Sequence, residues 1–214
     1  MGNAIHVDGH SENVTKRLLG MMDGAMAPYA SRMAGLSQDT ESIWNVVREL
    51  FGKDTGDDAA KAAAAGWQKT TKYAVDRVKR AGKPLSVLED WRLPQSWDGM
   101  RVRKFSQAEF TNHLMREFES GNMRVMDKAG QGDAPRAAVG GIIANAYNDM
   151  TLGRNEGAGM GGFSNQLRVF RFEDPESYIR MMRKYGHGDG GLGREIATTE
   201  ILGPNFEANF RKLL

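Results

Sequence analysis

The sequence contains no cysteine, which excludes disulfide bonds, thiolate metal ligands and thiol nucleophiles. It also lacks a long apolar run, because the longest one, Ala137–Ala144, is far shorter than the ~20 residues that span a bilayer. No lysine or arginine precedes an apolar stretch between Met1 and Asn13, so a secretory signal peptide does not fit. These absences favour a soluble protein made in a reducing cytosol.

An excess of charge of one sign is missing as well. The 29 lysines and arginines nearly balance the 27 aspartates and glutamates, and the net charge of +2 provides little of the field typical of a dedicated nucleic-acid binder. Hydrophobic residues make up 40% of the 214 residues and charged residues 26%, close to globular averages, while glycine is abundant at 26 residues. This composition predicts a folded protein with glycine-rich loops.

Apolar residues recur at helical spacing in several segments bounded by capping residues and glycines. Ser106 and Glu109 form a capping-box pattern, with Phe105 and Phe110 as a hydrophobic staple, and Asp174-Pro175 is typical of a helix start. Only Leu167–Phe172 alternates like a strand. The sequence predicts helices over Thr40–Phe51, from Asp57 or Asp58 to Ala81, Ser106–Glu119, Ala137–Met150 and Pro175–Tyr185, with shorter ones around Gly193–Leu202 and Phe206–Leu214.

The predicted fold class is therefore all-α: an irregular multi-helix domain with glycine-rich loops and at most one short β-hairpin. We expect an N-terminal helical arm over residues 1–36 and a helical domain over residues 37–214. The ending Phe210–Leu214 resembles the middle of a helix, which fits a piece of a longer polypeptide.

One catalytic candidate is Glu119, in the segment FESGN from Phe118 to Asn122. This segment resembles the Glu-Ser element of lysozyme-like lytic transglycosylases, in which a protonated glutamate in an apolar setting acts as general acid and then as base. The Gly-Leu-Met-Gln segment that follows in those enzymes is missing here. The alternative interpretation is an exposed residue at a helix end, and we expect no catalytic residue.

Cofactor and metal signals are weak. Two Gly-x-Gly-x-x-Gly matches begin at Gly157 and Gly188, but neither follows a predicted strand, as a dinucleotide site requires. His6, Asp8 and His10 lie together near the N-terminus without a fourth ligand nearby. We expect no cofactor and no metal.

Basic residues concentrate between Lys72 and Lys104, where nine of them face four acids. Such a stretch either tracks phosphates without reading sequence, helped by stacking on Trp91 and Trp97, or forms a solvated face over buried tryptophans. The DNA-contact candidates are Lys72, Arg77, Lys79, Arg80, Lys83, Arg101, Arg103 and Lys104.

Three stretches together carry a family resemblance. They are LPQSWD from Leu93 to Asp98 with Arg101, the segment Ile143–Tyr147, and the run Arg168–Asn205, which holds RVFRFEDPESY, KYGHG and ATTEILGPN. In order and spacing they resemble a segment found inside very large phage and prophage virion-associated proteins of the internal virion or DNA-ejection type. In that pattern aspartate or histidine often stands in place of Trp97, and a tryptophan is common in the helix that here carries Phe110.

The resemblance implies a non-enzymatic structural component of a phage virion that assists genome delivery. It implies other virion proteins as partners and assembly with copies of itself, without a small-molecule cofactor, after synthesis in the bacterial host cytoplasm. Two alternatives stay open: a peptidoglycan-cleaving, lytic-transglycosylase-like domain centred on Glu119, and a sequence-independent DNA-contacting module that uses the basic stretch.

Overall fold

The computed structural model describes Gly20, Gly24, residues 40–80, Leu93, Gln95 and residues 97–127, 132–152 and 169–186. Within these residues, 68% are helical, which confirms the predicted all-α class. The described elements are six helices and one two-stranded antiparallel sheet. They belong to two compact units, unit 1 with the described residues before Gln95 and unit 2 with those from Gln95 onward.

Unit 1 contains two consecutive helices, α1 (Thr40–Leu50) and α2 (Asp58–Arg80), as the periodicity predicted. Gly52 follows the end of α1 and has a φ of +81°, a conformation that residues with a Cβ rarely adopt. Asp57 starts α2, because its carboxylate accepts hydrogen bonds from the backbone N–H groups of Ala59 and Ala60 at 3.0 and 3.2 Å. Local capping chemistry therefore sets both ends of the connecting loop.

The described core of unit 1 combines two tryptophans with small residues. Trp44 on α1 is fully buried and Trp67 on α2 is 3% exposed. The alanine run gives α2 a flat surface on which bulky side chains of a neighbouring helix pack closely. The other buried apolar residues on these two helices are Val46, Val47, Leu50, Ala60, Ala63 and Ala64.

Unit 2 contains the other six elements: α3 (Gly99–Val102), α4 (Gln107–Glu119), β1 (Met123–Val125), α5 (Arg136–Thr151), β2 (Phe170–Phe172) and α6 (Pro175–Tyr185). The predicted capping box is confirmed: Ser106 Oγ accepts from the Glu109 backbone N–H, and the Glu109 carboxylate accepts from the Ser106 backbone N–H at 2.8 Å. Asp174 caps α6 with Pro175 in its first turn, also as predicted. Pro135 occupies the N-cap position of α5.

The sheet pairs segments that are distant in sequence. Met123 faces Phe172 and Val125 faces Phe170, with α5 lying between the two strands along the chain. Both strands have three residues; the longer alternation over Leu167–Phe172 marked β2, whereas β1 was not predicted because no comparable run surrounds it. The sheet is therefore a non-local pair rather than a hairpin.

Candidate functional site

From Gln95 onward, the described parts of the stretches that carry the resemblance lie in unit 2. Trp97 forms an isolated antiparallel bridge with Gly186, and the Asp98 backbone N–H donates to the Tyr185 carbonyl oxygen at 2.9 Å. The Gln95 side chain donates from Nε2 to the Phe170 carbonyl oxygen at 2.7 Å. The segment that begins at Gln95 is thus tied to both β2 and the end of α6, about 75 to 90 positions later in the chain.

Trp97 joins this segment to the aromatic core. Its ring lies edge-on to Phe110 on α4 and to Phe170 on β2, with centroid distances of 5.9 and 5.6 Å. Edge-to-face pairs of this kind stabilise a core beyond the area that they bury. Trp97 and α4 are also the two places where the sequence departs from the pattern that it resembles, and the structure puts them in contact.

Tyr185 is the centre of the same core. The rings of Phe105 and Phe110 pack edge-on against it at 5.1 and 4.9 Å, and its own ring is fully buried. Burial raises the pKa of Tyr185 to about 12, so its hydroxyl stays protonated at neutral pH. The hydroxyl oxygen lies 3.0 Å from Nδ1 of His113, which is half-buried on α4.

Asp98 and Asp174 are helix caps. Asp98 accepts hydrogen bonds from the backbone N–H groups of Met100 and Arg101, and Asp174 accepts from that of Ser177. Gly99, next to Asp98, has a structural role, since a Cβ there would lie 2.5 Å from the Met150 carbonyl oxygen. These positions serve local structure and close packing of α3 against α5.

A buried carboxylate, Glu117, ties α4 to α6. Arg180 donates from Nη2 to both Glu117 oxygens at 3.0 and 2.9 Å, and the buried Ser177 hydroxyl and the Asn122 amide donate to Oε2 at 2.8 and 2.9 Å. Burial alone raises the pKa of Glu117, but the hydrogen bonds from Asn122, Ser177 and Arg180 and the charge of Arg180 outweigh it, so the pKa is lowered. Glu117 therefore stays ionised and acts as an acceptor.

Sequence reasoning missed this cluster, although a signal was present. Phe110, Leu114 and Glu117 follow one another at i, i+4 and i+7, which places a carboxylate on the apolar stripe of α4. A carboxylate on a buried face requires a cationic or hydrogen-bonding partner. The apolar stripe, unlike the Glu-Ser dipeptide, indicates that Glu117 is the buried glutamate of this helix.

Glu119, the catalytic candidate, is the last residue of α4. Its side chain is 47% exposed and accepts a hydrogen bond from Arg136 Nη2 at 2.7 Å. A general acid of the lysozyme type requires an apolar, enclosed setting that keeps the carboxyl protonated. The surroundings of Glu119 are open and cationic, which agrees with the interpretation as an exposed helix-end residue.

The structure divides the basic stretch between the two units. Lys72, Arg77, Lys79 and Arg80 lie on α2 in unit 1, and Arg101, Arg103 and Lys104 lie at α3 in unit 2.

Several members of the stretch hold structure in place. Lys72 pairs with Asp76 at 3.2 Å, Arg80 Nε donates to the Asp76 carbonyl oxygen, and both Arg103 nitrogens Nε and Nη2 donate to the Thr151 carbonyl oxygen. Arg101 donates from Nη1 to the Arg183 carbonyl oxygen at 3.2 Å. Lys83, His6, Asp8, His10 and both Gly-x-Gly-x-x-Gly matches lie outside the described residues.

A shallow depression of about 270 Å³ lies on the surface of unit 2 where α4 meets α6. Its lining includes two cationic side chains, Arg116 and Lys184, and one carboxylate, Glu109. Lys184 Nζ lies 4.7 Å from the Phe105 ring centroid and 3.4 Å from His113 Nδ1. We call this the α4–α6 depression; it is lined by Phe105, Glu109, Asn112, His113, Arg116 and Lys184.

The portion of the chain that the structure describes offers neither a metal site nor a membrane span. That portion contains no group of three or more histidines, aspartates or glutamates that could hold a metal ion. None of its helices is long and apolar enough to cross a membrane.

Comparisons with known proteins add no assignment. No family model, curated protein or solved structure matches this chain. Any functional conclusion therefore rests on the residues and the geometry described above.

Proposed function

We propose that the chain is a non-enzymatic structural component of a phage particle, packaged internally and assisting genome delivery. The observation that supports this proposal is the placement of the resembling residues. Trp97, Asp98, Asp174 and Tyr185 form a backbone bridge, two helix caps and the centre of the core. Residues that specify a fold in this way suit a protein whose function is to present surfaces to neighbours.

The hydrogen bonding of three acidic side chains in unit 2 also favours a scaffold over an enzyme. Asp98 and Asp174 accept backbone hydrogen bonds, and Glu117 is saturated by three donor side chains. A general acid must give up a proton near the working pH, whereas the lowered pKa of Glu117 keeps it ionised. These three carboxylates cap helices or tie α4 to α6.

A cell-wall clearing assay separates the proposal from the transglycosylase alternative. We expect the wild-type chain to leave a suspension of purified cell walls turbid, and the Glu119→Gln variant to behave identically. Clearing by the wild type that Glu119→Gln abolishes would contradict the proposal. Glu109→Gln, on the exposed start of the same helix, is the matched control.

The DNA-contacting alternative rests on the exposed members of the basic stretch, which among the described residues are Lys72, Lys79, Arg80, Arg103 and Lys104. If it is correct, affinity for a DNA duplex falls steeply with salt and does not depend on sequence. We expect the wild type and a Lys79→Gln/Arg80→Gln variant to bind duplex equally weakly, as measured by fluorescence anisotropy at low and moderate salt. A large loss of salt-sensitive binding in the variant would favour DNA contact instead.

The proposal also predicts which partners the chain binds. A virion scaffold made in the host cytoplasm is expected to assemble with copies of itself and with other virion proteins. Among the described residues, the large apolar side chains exposed for such contacts are Met100 and Leu152, at 75% and 61%. Self-association in solution is therefore the property on which the proposal stands or falls.

A further inference from the structure

The α4–α6 depression contains two cations that lack carboxylate partners among the described residues. Neither Arg116 nor Lys184 forms an ion pair with any carboxylate in that part of the chain, in contrast to Arg180, which Glu117 neutralises one turn earlier on α6. Lys184 is held instead over the rings of Phe105 and Tyr185, at 4.7 and 5.2 Å from their centroids. Cation–π contacts fix the position of an ammonium group without cancelling its charge.

The single carboxylate in the lining is already engaged. Glu109 accepts from both the backbone N–H and the hydroxyl of Ser106 at 2.8 and 2.7 Å through the same oxygen, Oε2. These two bonds, followed by the charge of Lys184, lower the pKa of Glu109 although burial opposes them. The carboxylate is thereby directed to the helix start, where it completes the capping box.

Burial and the positive charge of the depression lower the pKa of His113. Its pKa is lowered first by burial and then by the charges of Lys184, Arg116 and Arg180, which together outweigh the opposing effect of Glu117. The Lys184 ammonium can only donate and lies 3.4 Å from Nδ1 of His113, whereas the protonated Tyr185 hydroxyl, 3.0 Å from the same atom, can donate or accept. The lowered pKa favours the neutral ring, and the Lys184 ammonium, which can only donate, favours the tautomer with the proton on Nε2.

We infer that the α4–α6 depression binds a phosphate-type oxyanion between Arg116, Lys184 and His113. A guanidinium and an ammonium supply charge-assisted donors to such an anion, and the ring supplies a further N–H. The Asn112 amide, also in the lining, adds neutral donors. A volume of about 270 Å³ accommodates one tetrahedral anion with part of its hydration shell. This inference does not depend on the proposed function, because it uses only the charges and contacts of unit 2.

Bound anion and His113 protonation are linked. An anion next to the ring offsets the charges of Lys184 and Arg116 and so favours the imidazolium form. Saturating phosphate is expected to raise the pKa of His113 by about one unit, which corresponds to about tenfold tighter binding by the protonated form. Phosphate binding therefore strengthens as the pH falls through the titration range of this histidine.

The test is an NMR titration of the histidine ring signals with inorganic phosphate at constant ionic strength, with the His113 signals assigned by loss in His113→Gln. We expect a saturable change at His113 and an upward shift of its pKa in the wild type. Lys184→Gln and Arg116→Gln should each raise the pKa of His113 without phosphate, because a repelling charge is gone, and should weaken phosphate binding about tenfold. Lys79→Gln, in unit 1, is the charge-matched control and should change neither quantity.

Three outcomes would overturn the inference. The first is that phosphate causes no saturable change in the His113 ring signals. The second is that the Lys184→Gln/Arg116→Gln double variant shows the full change, and the third is that Lys79→Gln weakens phosphate binding as much as the substitutions in the α4–α6 depression do. The substitutions His113→Gln, Arg116→Gln and Lys184→Gln in the α4–α6 depression alter exposed or half-buried side chains, and circular dichroism checks that each variant folds.

A short DNA duplex then identifies the source of the oxyanion. Displacement of bound phosphate by the duplex supports a site for backbone phosphates. Continued phosphate binding in the presence of excess duplex supports a site for a free phosphate monoester.

Discussion

In unit 1 the described core is built by two consecutive helices and a seven-residue loop, whereas in unit 2 it is assembled from segments up to about 90 positions apart. Unit 1 is specified by local chemistry: Gly52 at a positive φ, Asp57 as a cap and buried alanines on α2. Unit 2 depends on contacts such as Gln95 with Phe170 and Glu117 with Arg180. The comparison teaches that capping residues and small side chains close in sequence specify unit 1, whereas unit 2 depends on contacts between segments that are distant in sequence.

Removal of an aromatic ring from the centre of unit 2 should have the largest effect. Phe110 is fully buried and touches Trp97, Tyr147 and Tyr185 edge-on or tilted. Phe110→Ala is expected to lower the free energy of unfolding by about 3–5 kcal/mol, from lost burial and the cavity left behind. Urea denaturation measures the loss. Met100→Ala, at a 75% exposed position, should change stability little, and a small effect of Phe110→Ala would show that the core tolerates rearrangement.

Removal of the buried charge should have the next largest effect. Glu117→Gln is expected to cost about 3 kcal/mol, because it breaks the pair with Arg180 and leaves donors incompletely paired. Glu119→Gln is the matched control, since the exposed pair with Arg136 is worth about 1 kcal/mol or less. Equal effects of the two substitutions would contradict the account of the α4 stripe.

The same cluster sets an acid limit on stability. The pKa of Glu117 is lowered below its usual 4.5, so its stabilising contribution is fully present above pH 4.5 and is lost as the pH falls through the folded-state pKa. The difference in unfolding free energy between wild type and Glu117→Gln should therefore shrink in acid. Denaturation curves over the acidic range check this, and a constant difference would exclude the ionised carboxylate as the cause.

Close packing of α3 against α5 should show a smaller effect. Gly99→Ala forces a Cβ toward the Met150 carbonyl oxygen and is expected to cost about 1–3 kcal/mol. Gly141→Ala, in open space on α5, should instead stabilise the protein by about 0.5–1 kcal/mol through helix propensity. Thermal unfolding followed by circular dichroism measures both, and the same sign for both would contradict the packing argument.

The smallest expected effect is in unit 1. Gly52→Ala meets no neighbouring atom, so only the positive φ opposes it, and the cost is about 1 kcal/mol. Gly52→Asn should recover part of that loss, because asparagine tolerates the left-handed region better. If Gly52→Ala proves neutral, the loop of unit 1 is less fixed by local chemistry than the comparison requires.

The local part of the fold was predictable from the sequence. Helix periodicity, the Ser106–Glu109 capping box and the Asp174-Pro175 start identified the described helices of eight residues or more almost to their ends. These signals act within one or two helical turns, so a sequence shows them directly. The three-residue strand β1 has no such signal, and its pairing with β2 depends on a partner nearly 50 positions away.

The candidate site was harder to predict. The α4–α6 depression depends on the crossing of two helices about 70 positions apart, which no spacing rule specifies. The sequence places nothing beside His113 on α4, and only the fold brings Lys184 next to it. Glu119 resembled a motif by its neighbours in sequence, whereas Glu117 owes its significance to neighbours in space.

Solution mass tests the proposed structural role most directly. Light scattering over a range of protein concentrations, with and without double-stranded DNA at low and moderate salt, reports self-assembly and DNA contact together. The account predicts a defined oligomer whose mass does not require DNA. A strict monomer at every concentration would contradict it.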